Sequence, residues 1–294
     1  MYSFAIGIAS TLASSFFWAT AVVLFRKSTD HVTGFGVNVG KNLVGLVFFA
    51  FTLGVMGFDR IPYLSLRDVS FLVLSGAIGV GIGDLLFMES LQLLGAGLNA
   101  IVGCIYTPLM MIAGVLFFSE TLSLQLIVGA FMVVTAIIIS SLGDIQQRPK
   151  HLVLGILIAV LSMLSTLVGA VLYKDLLHRY DLCFVTWVRL FSGSLFLLLY
   201  FLVHPRRHTL LAGLGNLHHW KKLILSGFLG TYLAIGAWAV GLRNLPASLI
   251  AVFSELTVIV IILMAYFFLH ESLTPRKIAA TALAISGALI AVLG

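Results

Sequence analysis

The chain has 294 residues, of which 61% are hydrophobic and 10% are charged. Soluble domains carry roughly 25% charged residues, so this composition excludes an ordinary water-soluble protein. The net charge is +6, but the basic residues form no clustered basic segment, which argues against a nucleic-acid partner.

Apolar runs of about 20 residues, long enough to cross a ~30 Å hydrocarbon core, follow one another along the chain. Backbone groups in lipid must find their hydrogen bonds within the segment, so we expect helices rather than β-strands. In chain order, the predicted spans are 4–25, 34–57, 69–94, 97–118, 123–143, 152–173, 182–203, 222–243, 246–269 and 273–293. The first lacks the basic and cleavage signals of a signal peptide, so we interpret it as a helix of the folded protein.

The predicted spans repeat after the fifth. A shift of 148 residues places spans 1–2 on spans 6–7 and aligns Lys41 with Arg189. A shift of 151 residues places spans 3–5 on spans 8–10 and aligns Glu120 with Glu271. Matches of rare charged residues carry weight in a chain so rich in leucine.

The repeat predicts both domain boundaries and topology. We expect one five-helix unit at 1–145 and a second at 150–294. Because each unit has an odd number of spans, tandem copies insert with opposite orientation, as in transporters whose midplane site opens alternately to either side. The predicted fold is an all-α membrane protein with ten transmembrane helices in two inverted repeats around a central cavity.

Charged side chains inside the spans are the first candidates for substrate or ion binding, because such residues cost several kcal/mol unless they are paired or face water. Each half holds one base and at least one acid, at mirrored depths. The alternative interpretation is internal salt bridges that only fix helix packing. The candidates are Lys41, Asp84, Glu89, Arg189 and Glu255.

Three acids against two bases leave one carboxylate without a partner, and such a group is a candidate carrier of a coupling proton. We favour Asp84, which lies roughly 15 Å below the membrane surface, deeper than Glu89. Asp84 also follows three glycines, which permit close backbone approach. Lys41 is in reach of either acid, and Asp84 and Glu89 lie roughly 140° apart around their helix, so they need not share a cavity.

Polar and aromatic residues at similar depths complete the predicted site, although packing or an interfacial position is the alternative for each of them. Those that we retain as binding candidates are Asn38, Tyr106, Trp187, Tyr232 and Trp238; Trp18 and Asn99 lie at comparable depth.

Other polar residues favour structural roles. Glu120 and Glu271 each lie just before a short apolar span that begins with Ser or Thr, which is typical of helix starts. The two cysteines, Cys104 and Cys183, lie in or beside apolar runs and are expected to pack there. Loop histidines without cysteine or carboxylate neighbours predict no metal site, and we expect no cofactor.

The sequence resembles the EamA-type branch of the drug/metabolite transporter superfamily. The features that carry this resemblance are the joints Glu120-Thr121-Leu122 and Glu271-Ser272-Leu273, the paired bases Lys41 and Arg189, Gly83-Asp84, and Tyr106-Thr107-Pro108. The resemblance implies ten helices in two inverted repeats, with spans 5 and 10 outside the cavity. Ile259, where the first half has Pro108, and the unusual Glu255 depart from the family pattern.

The resemblance implies secondary transport, often export, of amino acids or other small metabolites. We therefore expect a multi-pass protein of the cell inner (plasma) membrane that moves a small-molecule solute, with a proton as candidate coupling ion, as a monomer or homodimer. No GxxxxGK[ST] loop occurs, which argues against ATP-driven pumping. The alternatives are a membrane-embedded enzyme acting on lipid-linked substrates and a channel subunit.

Orientation remains open between two predictions. Of the 17 Lys and Arg residues, ten lie in loops opposite the termini and five on the terminal side. The positive-inside rule then places the termini outside the cell, whereas the family resemblance implies cytoplasmic termini.

Overall fold

The protein is helical apart from short connections, as the composition predicted. The computed structural model describes residues 2–57, 62–141, 151–205, 207–260, 264 and 275–292, and no β-strand occurs among them. The helices are α1 (Tyr2–Ser28), α2 (Gly34–Met56), α3 (Leu66–Ser75), α4 (Asp84–Gly103), α5 (Tyr106–Phe118), α6 (Leu124–Ser141), α7 (Leu152–Arg179), α8 (Leu182–Val203), α9 (Arg207–Leu210), α10 (Leu217–Gly227), α11 (Ile235–Asn244), α12 (Ala247–Ser254) and α13 (Pro275–Val292). A first π-helical segment (Gly76–Gly83) joins α3 to α4, and a second (Phe228–Ala234) joins α10 to α11.

Six helical stretches within the described residues are long and apolar enough to cross a membrane. They are Ser3–Ser28, Gly34–Met56, Leu66–Gly95, Leu152–Arg179, Leu182–Val203 and Leu217–Asn244, and they correspond to predicted spans 1, 2, 3, 6, 7 and 8. Shorter apolar helices at Tyr106–Phe118, Leu124–Ala136 and Ala247–Val260 cover parts of predicted spans 4, 5 and 9. The all-α, multi-span class is confirmed, and the count of ten stays a prediction.

The boundary between predicted spans 3 and 4 lies at a glycine. Gly95 has φ +76° and ψ 171° in the middle of α4, a backbone conformation that glycine adopts without the steric cost that a Cβ carries. The chain turns there, between the predicted ends at 94 and 97.

Predicted span 4 is interrupted four residues before Pro108, the residue at which the sequence indicates a kink. α4 ends at Gly103, Cys104 and Ile105 form a turn, and α5 begins at Tyr106. Pro108 explains the break, because proline has no N–H to donate to the carbonyl four residues earlier, on Cys104. That carbonyl instead accepts a hydrogen bond from Thr107 N at 3.3 Å.

The helices pack in reciprocal pairs across the two halves of the chain. α1 contacts α10, the second π-helical segment and α11, while α7 contacts α3, the first π-helical segment and α4. α2 packs on α8, α5 on α12, and α6 on α13. The contacts that α1 makes with second-half helices thus resemble those that α7 makes with first-half helices.

Two ends of the helix bundle are defined by contacts between connecting segments. At the first end, Ser3 Oγ donates to Asn244 Oδ1 at 2.6 Å. At the second end, Thr33 N donates to Ala212 O at 3.3 Å, and the rings of His31 and His219 stack with centroids 5.3 Å apart. α1 therefore runs from the first end to the second.

Candidate functional site

A cavity of about 260 Å³ lies among helices of both halves. Its wall is formed by α1, the first π-helical segment, α4, α5, α7, α8, α11 and the chain around α12. On the 27-residue α1, the lining runs from Ser14, at the middle of the helix, to Val22, toward the second end. None of the described residues of α6 or α13 lines it. The cavity lies among the other helices in the middle of the bundle and extends along α1 toward the second end.

Lys41 and Asp84 form an ion pair at the wall of this cavity. Lys41 Nζ lies 2.6 Å from Asp84 Oδ2 and also donates to Asn42 Oδ1 at 2.9 Å. The Lys41 side chain is fully buried, and the Asp84 side chain is 18% exposed and lines the cavity. Asp84 was favoured as the unpaired carboxylate; that preference was wrong, because the Lys41 ammonium occupies it.

Arg189 is buried in the same wall with no carboxylate partner. It is 6% exposed, forms no ion pair with any described residue, and its Nε atom has no hydrogen-bond partner. The guanidinium instead lies 4.7 Å from the ring centroid of Tyr173 and 5.6 Å from that of Trp238. Aromatic faces attract a cation without neutralising it, so the positive charge remains free for a ligand.

Close helix packing positions this guanidinium. A Cβ added at Gly79 would lie 3.0 Å from Arg189 Nη2, and one added at Gly76 would lie 2.1 Å from the Arg189 carbonyl oxygen. Only hydrogen at these two positions leaves room for α8 against the first π-helical segment. Gly76 and Gly79, which precede Asp84, therefore allow Arg189 to lie at this position.

Glu255 lies at a break in the helix that begins with α12. α12 ends at Ser254, Glu255 forms a turn, and helix resumes at 256–260. Glu255 is 6% exposed and lines the cavity. Its Oε1 accepts a hydrogen bond from Thr107 Oγ1 at 2.6 Å, and the carboxylate also interacts with the Cys104 thiol.

The break at Glu255 faces the break at Cys104, and the two residues are aligned by the 151-residue shift. Both halves therefore interrupt the same helix at the same place, beside the cavity. Only the first break has a proline to explain it, since Ile259 keeps its N–H. Discontinuous helices of this kind form the midplane sites of many carriers.

Further polar atoms in the wall lack partners within the described part of the chain. The Tyr106 hydroxyl and Asn99 Oδ1 are buried without a hydrogen-bond partner, and both residues line the cavity, as do Trp18 and Trp238. Buried polar atoms are seldom left unpaired in folded proteins. The wall is thus prepared for a ligand that has polar groups of its own.

The remaining predicted residues lie elsewhere. Glu89 is exposed, and Asn38 is fully buried with neither amide atom hydrogen-bonded. Trp187 donates from Nε1 to Leu46 O at 3.2 Å, and the hydroxyls of Tyr232 and Thr52 are 2.7 Å apart. None of Glu89, Asn38, Trp187 and Tyr232 lines the cavity.

The sequence matches the EamA-like transporter family twice, over residues 5–142 and 153–293. Together the two matches cover nearly the whole chain. The protein belongs to the EamA-like transporter family. It is a multi-pass membrane protein, and its family points to a role in transport.

Two individual proteins are similar to this EamA-like transporter. An uncharacterized transporter of Archaeoglobus fulgidus is 24% identical over 184 residues, a stretch that covers 62% of this chain and 64% of the relative. The chain thus matches a little under two thirds of that relative's length. A crystal structure described only as that of a protein superposes with TM-score 0.80 at 18% identity, over 99% of this chain and 96% of the other; at this identity it shows a shared fold alone.

The first end of the EamA-like transporter is closed by polar contacts between its halves. Glu120, in the segment after α5, pairs with Lys174 of α7 at 2.8 Å. The same carboxylate accepts hydrogen bonds from Ala247 N at 2.6 Å and Ser248 N at 3.1 Å. Burial raises the pKa of Glu120, but the Lys174 ammonium and the Ala247 and Ser248 donors outweigh it, and the pKa lies below its ordinary value.

A second contact closes the same end. Asp68 at the start of α3 binds Arg179 with both oxygens, at 2.8 and 3.0 Å, and accepts from the Tyr180 hydroxyl at 2.6 Å. This hydrogen bond raises the pKa of Tyr180, because the phenol can no longer donate a hydrogen to Asp68 once it ionises.

Sequence reasoning assigned Glu120 to the start of the following helix and missed its contacts across the halves. Its side chain caps α12 rather than α6, whose first turn is capped by Ser123 Oγ. Glu271, the aligned residue, lies outside the described residues.

Proposed function

We propose that this protein is a secondary transporter of the inner membrane that exports small zwitterionic metabolites, such as amino acids or related compounds, by alternating access between two inverted five-helix repeats. The observation that carries the substrate class is Arg189, a buried guanidinium without a carboxylate partner at the wall of a central cavity. Arg binds carboxylates with a planar fork of donors, so a solute carboxylate fits this position.

The opposite charge lies in the same cavity. Glu255 has no cationic partner among the described residues, and Tyr106 is close enough to interact electrostatically with both Glu255 and Arg189. A solute with a carboxylate and an ammonium group would complement both charges without leaving either one buried alone. Lys41 and Asp84 already satisfy each other.

Alternating access is supported by the distribution of contacts. Ion pairs between the halves close the first end, at Glu120–Lys174 and Asp68–Arg179, while the cavity extends along α1 toward the second end. The reciprocal packing of α1 and α7 on aligned partners is what two inverted repeats would produce. Exchange of packing between the halves would close the second end and open the first.

Counterflow in liposomes tests the proposed function. The purified protein is reconstituted into vesicles loaded with one unlabelled amino acid, and uptake of the same radiolabelled amino acid is measured for each of the protein amino acids. Simple carboxylic acids and simple amines of similar size serve as comparison solutes. We expect exchange of zwitterions that exceeds exchange of either comparison class.

Variants of Arg189 link this exchange to the cavity. Arg189→Gln removes hydrogen bonds from a charged donor, each worth about 1.5–3 kcal/mol, and should weaken apparent affinity roughly ten- to hundredfold. Arg189→Lys should retain part of the wild-type affinity. Arg243→Gln, an exposed arginine near the first end, is the matched control and should exchange normally. Wild-type exchange by Arg189→Gln, or equal exchange of simple amines, would contradict the proposal.

A further inference from the structure

Glu255 differs from every other carboxylate described in the membrane-spanning part of the chain in how it is held. It is 6% exposed, it lines the cavity, and its described partners, Thr107 and Cys104, are neutral. Asp84 has the Lys41 ammonium at 2.6 Å, and Glu89 is exposed. An ionised carboxylate that is buried without a cation costs several kcal/mol, and it is cheaper to neutralise the charge.

The neighbours of Glu255 favour a proton over a metal ion as the neutralising species. Thr107 Oγ1 donates its hydrogen to Oε1, and hard metal cations need several oxygen lone pairs that converge on one point. Among the described residues, no group of three or more His, Cys, Asp and Glu side chains could hold a metal ion. The oxygen lone pairs that remain free on the carboxylate are suited to binding one proton.

The side chains that face Glu255 carry thiol, hydroxyl and indole groups, so Glu255 is the side chain that we expect to titrate. The turn before α5 presents Cys104 and α5 presents Tyr106, while α1 presents Ser15, whose hydroxyl donates to Phe253 O at 3.3 Å. Arg189 and Asp84 also line the cavity, and Asp84 is paired with Lys41. α11 presents Trp238, α6 has no ionisable residue, and α13 carries charge only at Arg276 and Lys277, in its first turn.

We propose that Glu255 is the site of the coupling proton, and that a proton and the ammonium group of the solute bind this carboxylate in turn. This inference rests on the proposed transport function. With Glu255 ionised, the two bases and two acids of the cavity balance, and a zwitterion fits between Arg189 and Glu255. With Glu255 protonated, the cavity carries one net positive charge and the ammonium group has lost its partner.

Competition for one carboxylate couples the two fluxes. Solute binding displaces the proton from Glu255 on one side of the membrane, and proton binding displaces the solute on the other. One proton therefore moves opposite to one solute molecule. The position of Glu255 at the break of α12, facing the break at Cys104, places this exchange where the two halves meet.

Proton binding is tested without any solute. Infrared difference spectra of the purified full-length protein are recorded through a pH titration, in H₂O and D₂O, for the wild type and for Glu255→Gln. We expect a carbonyl band of a protonated carboxylic acid, shifted by deuterium, that is absent from Glu255→Gln. The matched control Glu89→Gln removes an exposed carboxylate of α4 and should keep this band. A band that persists unchanged in Glu255→Gln would overturn the assignment.

Coupling is tested in proteoliposomes with the amino acid that shows the fastest counterflow. In wild-type protein, an imposed pH gradient should drive accumulation of the label against its gradient. Glu255→Gln should abolish this accumulation, and Glu255→Asp, which keeps a carboxylate, should restore it with a displaced pH profile. Accumulation driven by a sodium gradient at constant pH would overturn the proton assignment.

The two tests separate the two proposals. If no zwitterion exchanges but the titrating band belongs to Glu255, the transport substrate is wrong and the proton site stands. If zwitterions exchange and Glu255→Gln still responds fully to a pH gradient, the transport proposal stands and the Glu255 assignment fails.

Discussion

Glu120 Oε1 lies 2.8 Å from Lys174 Nζ, and these residues belong to different halves of the chain. The same carboxylate caps the first turn of α12, the helix whose far end is Glu255. A single side chain thus joins the segment after α5, the end of α7 and the helix that leads to the cavity. In the proposed alternating access, opening of the first end would require these contacts to break.

Replacement of Glu120 by Gln should lower stability at neutral pH by about 2 kcal/mol, because it removes an ion pair and weakens hydrogen bonds to a charged acceptor. The pKa of Glu120 is lower than its ordinary value of 4.5. A carboxylate with a lowered folded-state pKa stabilises the fold above its unfolded pKa, and the contribution disappears as the pH falls through the folded pKa.

The difference between Glu120→Gln and wild type should therefore be largest near neutral pH and shrink once the pH falls below 4.5. Thermal unfolding in detergent, followed by tryptophan fluorescence across pH, measures it. A difference that is constant with pH would mean that the ionised form of Glu120 contributes nothing.

Lys41 and Asp84 should behave as a coupled pair. Removal of one member of a buried ion pair costs about 3–5 kcal/mol, because it leaves the other charge unpaired, whereas replacement of both by apolar residues is often neutral. We expect Asp84→Asn to destabilise more than Lys41→Met, since Lys41 is fully buried and Asp84 is 18% exposed to the cavity.

Chemical unfolding of Lys41→Met, of Asp84→Asn and of the double variant Lys41→Met/Asp84→Asn measures this coupling. The double variant should lose less stability than the two single variants together. Strict additivity would show that the two side chains contribute independently, despite the 2.6 Å distance between Nζ and Oδ2.

Gly76 and Gly54 provide a matched pair of identical substitutions. A Cβ at Gly76 would lie 2.1 Å from the Arg189 carbonyl oxygen, while a Cβ at Gly54 would have nothing within 4 Å. Gly76→Ala should cost about 1–3 kcal/mol through overpacking. Gly54→Ala lies inside α2 and should stabilise by roughly 0.5–1 kcal/mol, the penalty of glycine in a helix.

Thermal unfolding of the two alanine variants provides the comparison, with labelled solute binding as a second readout for Gly76→Ala, since the displaced backbone carries Arg189. If both variants gained stability, the close approach of α8 to the first π-helical segment would be disproved.

Much of the architecture was predictable because lipid leaves the chain few choices. Long apolar runs must be helical, and the six stretches of the described chain that are long enough to cross a membrane lie where the runs predicted them. Gly95, between two predicted spans, marks their boundary with its positive φ. The helix breaks at Cys104 and Glu255 were harder to predict from the sequence, because only the first has a proline, Pro108, nearby.

The charged candidates were identifiable, but their partners were not. Depth along a helix placed Lys41 within reach of both Asp84 and Glu89, and only the rotation of α4 decides that Asp84 meets Lys41 while Glu89 is exposed. The interpretation of Asp84 as the carboxylate without a partner was wrong for that reason.

By itself, the sequence determined that the chain crosses a membrane repeatedly as helices and that rare charges lie within those helices, because the cost of polar groups in lipid acts on each segment separately. Which charges meet was decided only by the tertiary structure, since the azimuth and crossing of helices set distances of a few ångströms. That packing leaves Arg189 and Glu255 without an ion pair to any described residue, and it also creates the contact of Glu120 across the halves.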